Sequence, residues 1–253
     1  EAIKPITAFI KSQGAVPGVQ LAHSGRKGSS AQPWLGGQQL TDAEGGWDTE
    51  GPTDQPFDDD GTRLWKAPKK MQQEDIHKVQ DAFVAAAERA IEAGYELLEI
   101  HCAHGYLLHS FVSPLVNTRT DSYGGSLKNR ARMLLETTEK VRAVWPKGLP
   151  LAVRLSMTDW VEGGLTVEDN IQVAIWLKAL GVDIVDCSSG GATPAARGSI
   201  NGGIGQQVGM AADVRQGSGL MSMAVGEITQ AQQAEGIIAS GQADIVLLAR
   251  AML

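Results

Sequence analysis

The sequence predicts an α/β chain of the (β/α)8 TIM-barrel type, incomplete, with about six βα units and a capping insertion after the first strand. Three observations carry that prediction. Apolar, β-branched runs alternate with amphipathic stretches of helical length. Within the runs the apolar residues are nearly continuous rather than every second one, which is how strands covered on both faces read. No G-x-G-x-x-G stands after the first run, where an open doubly wound sheet carries its phosphate loop.

The strand candidates are Gly18 to His23, Leu97 to Cys102, Leu149 to Ser156, Asp183 to Ser188, Met221 to Val225 and Asp244 to Ala249. Between them, Glu74 to Ala93 places Ile76, Val79, Phe83, Ala87 and Ile91 at helical spacing, with Gly94 as its stop. Asn129 to Val144 reads as one helix through Met133, Leu134, Val141 and Val144. Thr166 to Leu180 opens on a Thr cap with Glu168 and Asp169 in its first turn, and Gly181 closes it. Thr229 to Ala239 repeats the plan and ends at Gly241. Short links between parallel strands and helices require right-handed crossovers, and an eight-stranded barrel is the expected closure. Residues 24–70 break the rhythm. They are rich in Gly, Pro, Asp and Trp, as a lid or capping segment within one 1–253 domain would be. Trp34, Trp47 and Trp65 argue that part of this segment packs against something.

Composition excludes several classes. The net charge of -7 and the absence of a dense Lys/Arg run argue against nucleic acid or an anionic membrane surface as partner. No apolar stretch is long enough to span a bilayer. Two cysteines, Cys102 and Cys187, both in apolar runs, make a disulfide scaffold improbable and fit a cytoplasmic protein. The start at Glu1 has no signal-peptide pattern and no initiator Met, so the numbering is expected to begin inside a longer chain.

Barrel active sites lie at the C-terminal ends of the strands. The first run brings Gln20, His23 and Arg26 to that end, and the second brings His101, His104 and Tyr106. The later runs bring Arg154, then Ser188 to Gly191, then Gly226, then Ala249 and Arg250. Two imidazoles three residues apart can donate to one oxygen and stabilise charge forming there. The phenol of Tyr106 can supply a proton. A zinc site also suits His-x-x-His, but it needs further ligands, and His23, His77 and His109 are the only other histidines. Arg154 has two readings, an internal ion pair with a carboxylate such as Asp186, or a cation facing an electron-rich ring. Gly226 and Ala249-Arg250 fit a phosphate site in the last two loops.

The motif His101-x-x-His104-Gly105-Tyr106-Leu107, continued by Phe111-x-Ser113-Pro114-x-x-Asn117-x-Arg119-x-Asp121-x-Tyr123-Gly124-Gly125-Ser126-x-x-Asn129-Arg130, resembles the old yellow enzyme family of flavin-dependent ene-reductases. Gln20-Leu21-x-His23-x-Gly25-Arg26-Lys27 looks like that family's third barrel strand. Asp159 to Gly164 and Ser188 to Gly191 look like its bacterial NADPH dehydrogenase and xenobiotic-reductase branch. The resemblance implies FMN as cofactor and NADPH, or NADH, as hydride donor. It places Gln20 and Arg154 on the flavin ring, and Gly226, Ala249 and Arg250 at its phosphate. It makes His101 and His104 the holders of the activating oxygen and Tyr106 the proton donor. The implied substrate is a small molecule with an activated alkene or nitro group, and the full-length protein is expected to be a homo-oligomer.

The family's first two strands have no counterpart here and the chain stops just after its last strand, so a fragment is expected. Ala249 stands where Gly is more usual, and Gly205 to Gly209 departs from the family's common pattern. A dienoyl-CoA reductase type with an additional iron–sulfur cluster, and a catalytically inert barrel remnant, are the competing readings.

Overall fold

A computed structural model describes residues 2–57, 65–198 and 202–252, the side chains at 197 and 198 excepted. Its centre is a sheet of six parallel strands in sequential order. These are β1 (Gly18–Leu21), β2 (Leu97–Cys102), β3 (Leu151–Ser156), β4 (Ile184–Ser188), β5 (Met221–Ala224) and β6 (Ile245–Val246). Every pairing is parallel, with Gln20 beside Glu99, His101 beside Arg154, and Arg154 beside Asp186.

The helices are α1 (Lys4–Ser12), α2 (Gln73–Glu92), α3 (Leu107–Val112), α4 (Leu127–Arg130), α5 (Arg132–Val144), α6 (Val167–Ala179), α7 (Val208–Ser218) and α8 (Ala231–Ala239). The helix-facing strand residues, among them Leu98, Ile100, Val153, Leu155, Val185 and Cys187, pack with buried helical residues such as Ile76, Phe83, Leu134, Val173 and Val214. The opposite strand face makes a second, small cluster of Ala152, Ile184 and Met223 with Leu97, Ile245 and Leu247, and no helix contributes to it. A doubly wound sheet would have helices on both faces. One helical layer outside and a strand-only cluster inside is barrel architecture. Gln20 is exposed on β1, an edge strand.

Local signals act where they were expected. Thr166 Oγ1 accepts the Asp169 N–H at 3.2 Å, and the Asp169 carboxylate accepts the Thr166 N–H at 3.3 Å, a reciprocal cap on α6. The predicted stops Gly94 and Gly181 have left-handed φ of 87° and 85°. Other expectations are corrected. The single helix expected from Asn129 is two, with Ser126 capping α4 and a break at the buried Ala131. Arg130 reaches out to the carbonyl of Val112 at 2.8 Å, tying α4 to α3 rather than extending α5. Helices α1 and α7 were not foreseen: in α7 polar residues and glycine dilute the apolar positions, whereas α1 carries Pro5 in its first turn and Ile6, Phe9 and Ile10 at helical spacing, a signal that was readable.

Within 24–70, short turns of 3-10 helix at Gly25–Lys27, Pro33–Leu35 and Asp42–Glu44 precede a two-stranded parallel ladder of Glu50–Gly51 with Lys69–Lys70. Arg26 is buried and fastens this segment to the barrel rim, donating to the carbonyls of Gln55 (3.1 Å), Pro56 (3.0 Å) and Ala192 (2.7 Å). Of the three tryptophans expected to pack, Trp65 meets Phe57 edge-on at 5.3 Å, while Trp34 and Trp47 are 80% and 56% exposed.

Candidate active site

The alternation of a strand puts Glu99, His101, Arg154 and Asp186 on the inner face, opposite the helix-facing Leu98, Ile100, Val153 and Val185. Chain connectivity then brings His101, at the end of β2, beside the loop that leaves that strand. The ring of His101 lies 5.1 Å from that of His104 and 5.2 Å from that of Tyr106. The motif residues thus form one cluster. His101 is 4% exposed, and neither of its ring nitrogens has a hydrogen-bond partner among the described residues. Two unpaired buried nitrogens cost free energy unless a ligand satisfies them.

The loop itself is tightly constrained. His104 adopts a positive φ of 60°, which costs a non-glycine residue on the order of 1 kcal/mol. Bonds to other elements surround it. Its N–H donates to Ser156 Oγ at 2.9 Å, and that hydroxyl donates to Gly190 O at 2.8 Å. Its carbonyl accepts from Lys27 Nζ at 2.8 Å, and its Nε2 is 2.6 Å from Ser188 Oγ. Ser188 was expected on this rim, whereas Ser156 and Lys27 are supports to which sequence reasoning gave no role. Ser156, like Ser188, stands at a strand end on the same rim, which is the signal that could have found it.

Tyr106 faces a cavity of about 580 Å³ lined also by Lys27, Phe57, Trp65, Gly191 and Thr193. The Lys27 ammonium stands 4.4 Å from the Phe57 ring centre and 5.6 Å from that of Tyr106. The capping segment therefore supplies one wall of the space beside Tyr106, where aromatic rings stand with the polar Lys27, Ser30 and Thr193 in a lining suited to a small organic molecule carrying polar groups.

Arg154 realises the ion-pair reading, with Nε 3.3 Å from Asp186 Oδ2. It does so beside His101, so the ring-facing reading is not displaced. Gln20 Nε2 donates to Glu99 Oε1 in a short bond. Glu99 and Asp186 thus form a buried acidic pair beneath the rim, flanked by one amide and one guanidinium. Burial, then repulsion from Glu99, pushes the Asp186 carboxyl up to about 8 against the pull of Arg154. Desolvation, then the Arg154 charge, lowers His101 to about 4. Desolvation, then His101, lowers His104 to about 3. Both imidazoles are neutral at physiological pH, and each keeps one N–H to donate.

These shifts predict a specific pH profile of stability. The imidazoles bind protons more weakly folded than unfolded, so their contribution is present above about pH 6.5 and lost as pH falls towards 4 and 3. Asp186 has the opposite sign: folding holds its proton, so stability drops as pH rises from the unfolded carboxyl value through about 8. Between pH 6.5 and 8 this loss is opposed by the lowered imidazoles of His23, His101 and His104, whose unfolded forms shed their last protons there, while burial pushes both cysteine thiols up so that they add slope only at higher pH. In urea denaturation the wild-type chain should lose on the order of 1 kcal/mol relative to Asp186→Asn over that window, the imidazole contribution being common to both. An unchanged slope in the variant would refute the protonated pair.

The remaining expected residues lie at the far side of the rim. Gly226 stands just beyond β5 with φ 125°, and its carbonyl accepts from Gly205 N–H at 2.8 Å. Gln207, in the loop that departs from the family pattern, lies 2.9 Å from Ser189 Oγ and bridges it to Val225 O at 3.1 Å. Ala249 and Arg250 come after β6, the neighbour of β5, and Arg250 opens an exposed 3-10 turn, Arg250–Met252. The two last loops are adjacent, as a phosphate site requires, and stand apart from the imidazole pair. No group of three His, Cys, Asp or Glu side chains able to hold a metal occurs among the described residues. No helix among them is long and apolar enough to cross a membrane.

Residues 1–253 match the family described as NADH:flavin oxidoreductase / NADH oxidase. The chain is 42% identical to the NADPH dehydrogenase of Bacillus velezensis over 253 residues, covering all of this chain and 68% of that protein. It is 40% identical to the NADPH dehydrogenase of Bacillus subtilis, with the same coverage. Among solved structures, an old yellow enzyme homologue from Zymomonas mobilis superposes with a TM-score of 0.76 at 25% identity, over 98% of this chain and 67% of that one. A 2-naphthoyl-CoA reductase superposes with a TM-score of 0.81 at 28% identity, over 96% of this chain but only 37% of that larger protein. A match along the whole chain, on a half-barrel whose rim gathers the motif residues, makes this chain a member of the NADH:flavin oxidoreductase / NADH oxidase family, whose enzymes work with FMN and a reduced nicotinamide.

Proposed function

We propose that the chain forms the larger part of the catalytic barrel of an FMN-dependent ene-reductase. It acts on the activated C=C bond of α,β-unsaturated carbonyl or nitro compounds, with NADPH as the favoured donor. The observation that carries this reading is the buried His101, with no well-formed hydrogen bond to either ring nitrogen, in ring contact with His104 and with Tyr106, which itself lines a cavity.

The residues present fit the cofactor. The Arg154 Nε has only the ion-pair contact to Asp186 at 3.3 Å and no well-formed hydrogen bond, and Gly226 carries no side chain where a phosphate oxygen would approach the backbone. Gln20 and Arg154 would hold the flavin ring, and Gly226, Ala249 and Arg250 its phosphate. Bound FMN supplies the hydride, taken from the nicotinamide, that reaches the β-carbon. The chain's own groups do the rest. The neutral imidazoles of His101 and His104 donate to the substrate's activating oxygen and stabilise negative charge as it builds there. Tyr106 delivers a proton to the α-carbon, so that hydride and proton add across the double bond. Phe57 and Trp65 exclude water from the cavity wall. We further place the full-length protein in the cytoplasm as a homo-oligomer, which its two free, buried thiols and the family resemblance support.

The likeness to 2-naphthoyl-CoA reductase favours a second reading, in which the held oxygen is a thioester carbonyl and the complete protein adds an iron–sulfur cluster. The test is made on the full-length protein. A flavin absorbance band, bleached by NADPH and restored by 2-cyclohexenone, is expected. Protein that stays colourless with added FMN would end the first reading. Stoichiometric iron with turnover of an aryl- or enoyl-CoA would select the second.

A further inference from the structure

We propose that His109 and Asp159 are positioning residues that clamp the peptide joining His104 to Gly105 and so aim the substrate-binding loop. The proposal rests on the assigned roles of His104 and Tyr106 and extends them. The Gly105 N–H donates to His109 Nδ1 at 2.8 Å. A nitrogen that accepts a hydrogen bond carries no proton, so the ring proton of His109 sits on Nε2. That Nε2 stands 3.1 Å from Asp159 Oδ1. The other oxygen, Oδ2, accepts from Ser113 Oγ at 2.7 Å and from the Leu165 N–H at 2.9 Å. The His109 and Asp159 side chains are 1% and 0% exposed.

A buried carboxylate is an expensive object with no solvent to support it. Burial by itself would raise the Asp159 pKa; the His109 contact and the Leu165 and Ser113 bonds outweigh it and hold the carboxyl below its usual value. The anion polarises the imidazole, and the imidazole fixes one peptide plane. That plane is the joint of the site. It comes directly after His104, whose φ is 60°, and it precedes the Gly105 and Tyr106 residues that set the phenol. With Nδ1 occupied by Gly105, a His109 turned by half a revolution would lose both partners at once. The pair also joins helix α3, which follows the loop after β2, to the loop after β3, so that the imidazole pair and the β3 end carrying Arg154 are held in one frame.

The test uses 15N-histidine labelling of this chain and long-range imidazole NMR. His109→Gln can keep both contacts, its carbonyl accepting from Gly105 and its amide donating to Asp159. His109→Leu keeps neither. The wild-type His109 ring should report a proton on Nε2. The His101 and His104 ring signals should shift or broaden in His109→Leu and return to the wild-type positions in His109→Gln. In the full-length enzyme, enone-dependent kcat should fall roughly tenfold to a hundredfold in His109→Leu, with reduction by NADPH nearly unchanged and substantial recovery in His109→Gln. Should His109→Leu fail to fold, Ser113→Ala removes one bond from Asp159 and should give a smaller shift of the same His104 signals. Unmoved His104 signals in His109→Leu or in Ser113→Ala, or equal disturbance in His109→Gln and His109→Leu, would overturn the proposal. The ring signals need no turnover, so failure of the ene-reductase assay would leave this inference standing, and failure here would leave that assignment untouched.

Discussion

Tyr106→Phe is expected to slow enone reduction by about 10²- to 10⁴-fold, the usual contribution of a positioned proton donor, and to leave reduction of the enzyme by NADPH within about twofold of wild type. The substitution removes one oxygen and nothing else. The ring contact to His101 at 5.2 Å and the Lys27 ammonium 5.6 Å from the ring centre are both retained by phenylalanine. The cavity wall therefore keeps its shape, and the imidazole pair still holds the activating oxygen. A group that acts only as the proton moves should lower kcat and kcat/KM together, which corresponds to a loss of about 3–5 kcal/mol of transition-state stabilisation. Stopped-flow measurement of the two half-reactions separates the steps. Equal losses in both would mean that Tyr106 shapes the pocket instead of donating the proton.

Gly105→Ala should be the most damaging small substitution in the loop. Gly105 has φ 73°, and an added Cβ would lie 2.0 Å from the carbonyl oxygen of Gly191. The opposing Gly191 has φ 90°, and its own Cβ would meet His104 Cα at 2.6 Å. Two backbones pass here with no room for a methyl group on either. The left-handed conformation costs alanine roughly 1 kcal/mol or more, and overpacking against immobile backbone adds about 1–3 kcal/mol. A total of about 3 kcal/mol should move the urea midpoint by roughly 1 M or more. Gly125→Ala supplies the control, because Gly125 has φ 78° but nothing within 4 Å of an added Cβ. It should lose only the conformational part, about 1 kcal/mol. Equal destabilisation of the two variants would show that the close approach of the Gly105 and Gly191 loops is not what holds the site.

Much of this architecture was legible in advance, and particular residues show why. Apolar runs marked the strands because helices cover one face, at Leu98, Ile100, Val153 and Val185, and the inner face is apolar too at Leu97, Ala152 and Ile184, polar residues entering it only towards the site at Glu99, His101, Arg154 and Asp186. Thr166 with Asp169, and the stops at Gly94 and Gly181, were readable because a cap involves residues three or four apart. The break at Ala131 was not, since its cause includes Arg130 reaching the Val112 carbonyl on another helix. Nor was the exposure of Trp34 and Trp47, whose residue type alone argued for packing.

The candidate site divides the same way. The spacing of His101, His104 and Tyr106 at a strand end settled that they would share one rim, because local geometry leaves a strand terminus and its loop no other place to go. Whether Arg154 would meet Asp186 depended on the register of β3 against β4, which no local pattern encodes. The same holds for the Gly105 and Gly191 approach, the Ser156 and Ser188 bonds to His104, and the His109–Asp159 pair, whose members lie about fifty residues or more apart along the chain. Periodicity, caps and motif spacing are properties of neighbouring residues and were determined by the sequence alone. Contacts across the rim exist only once the parallel strands are laid side by side, so tertiary structure decided them.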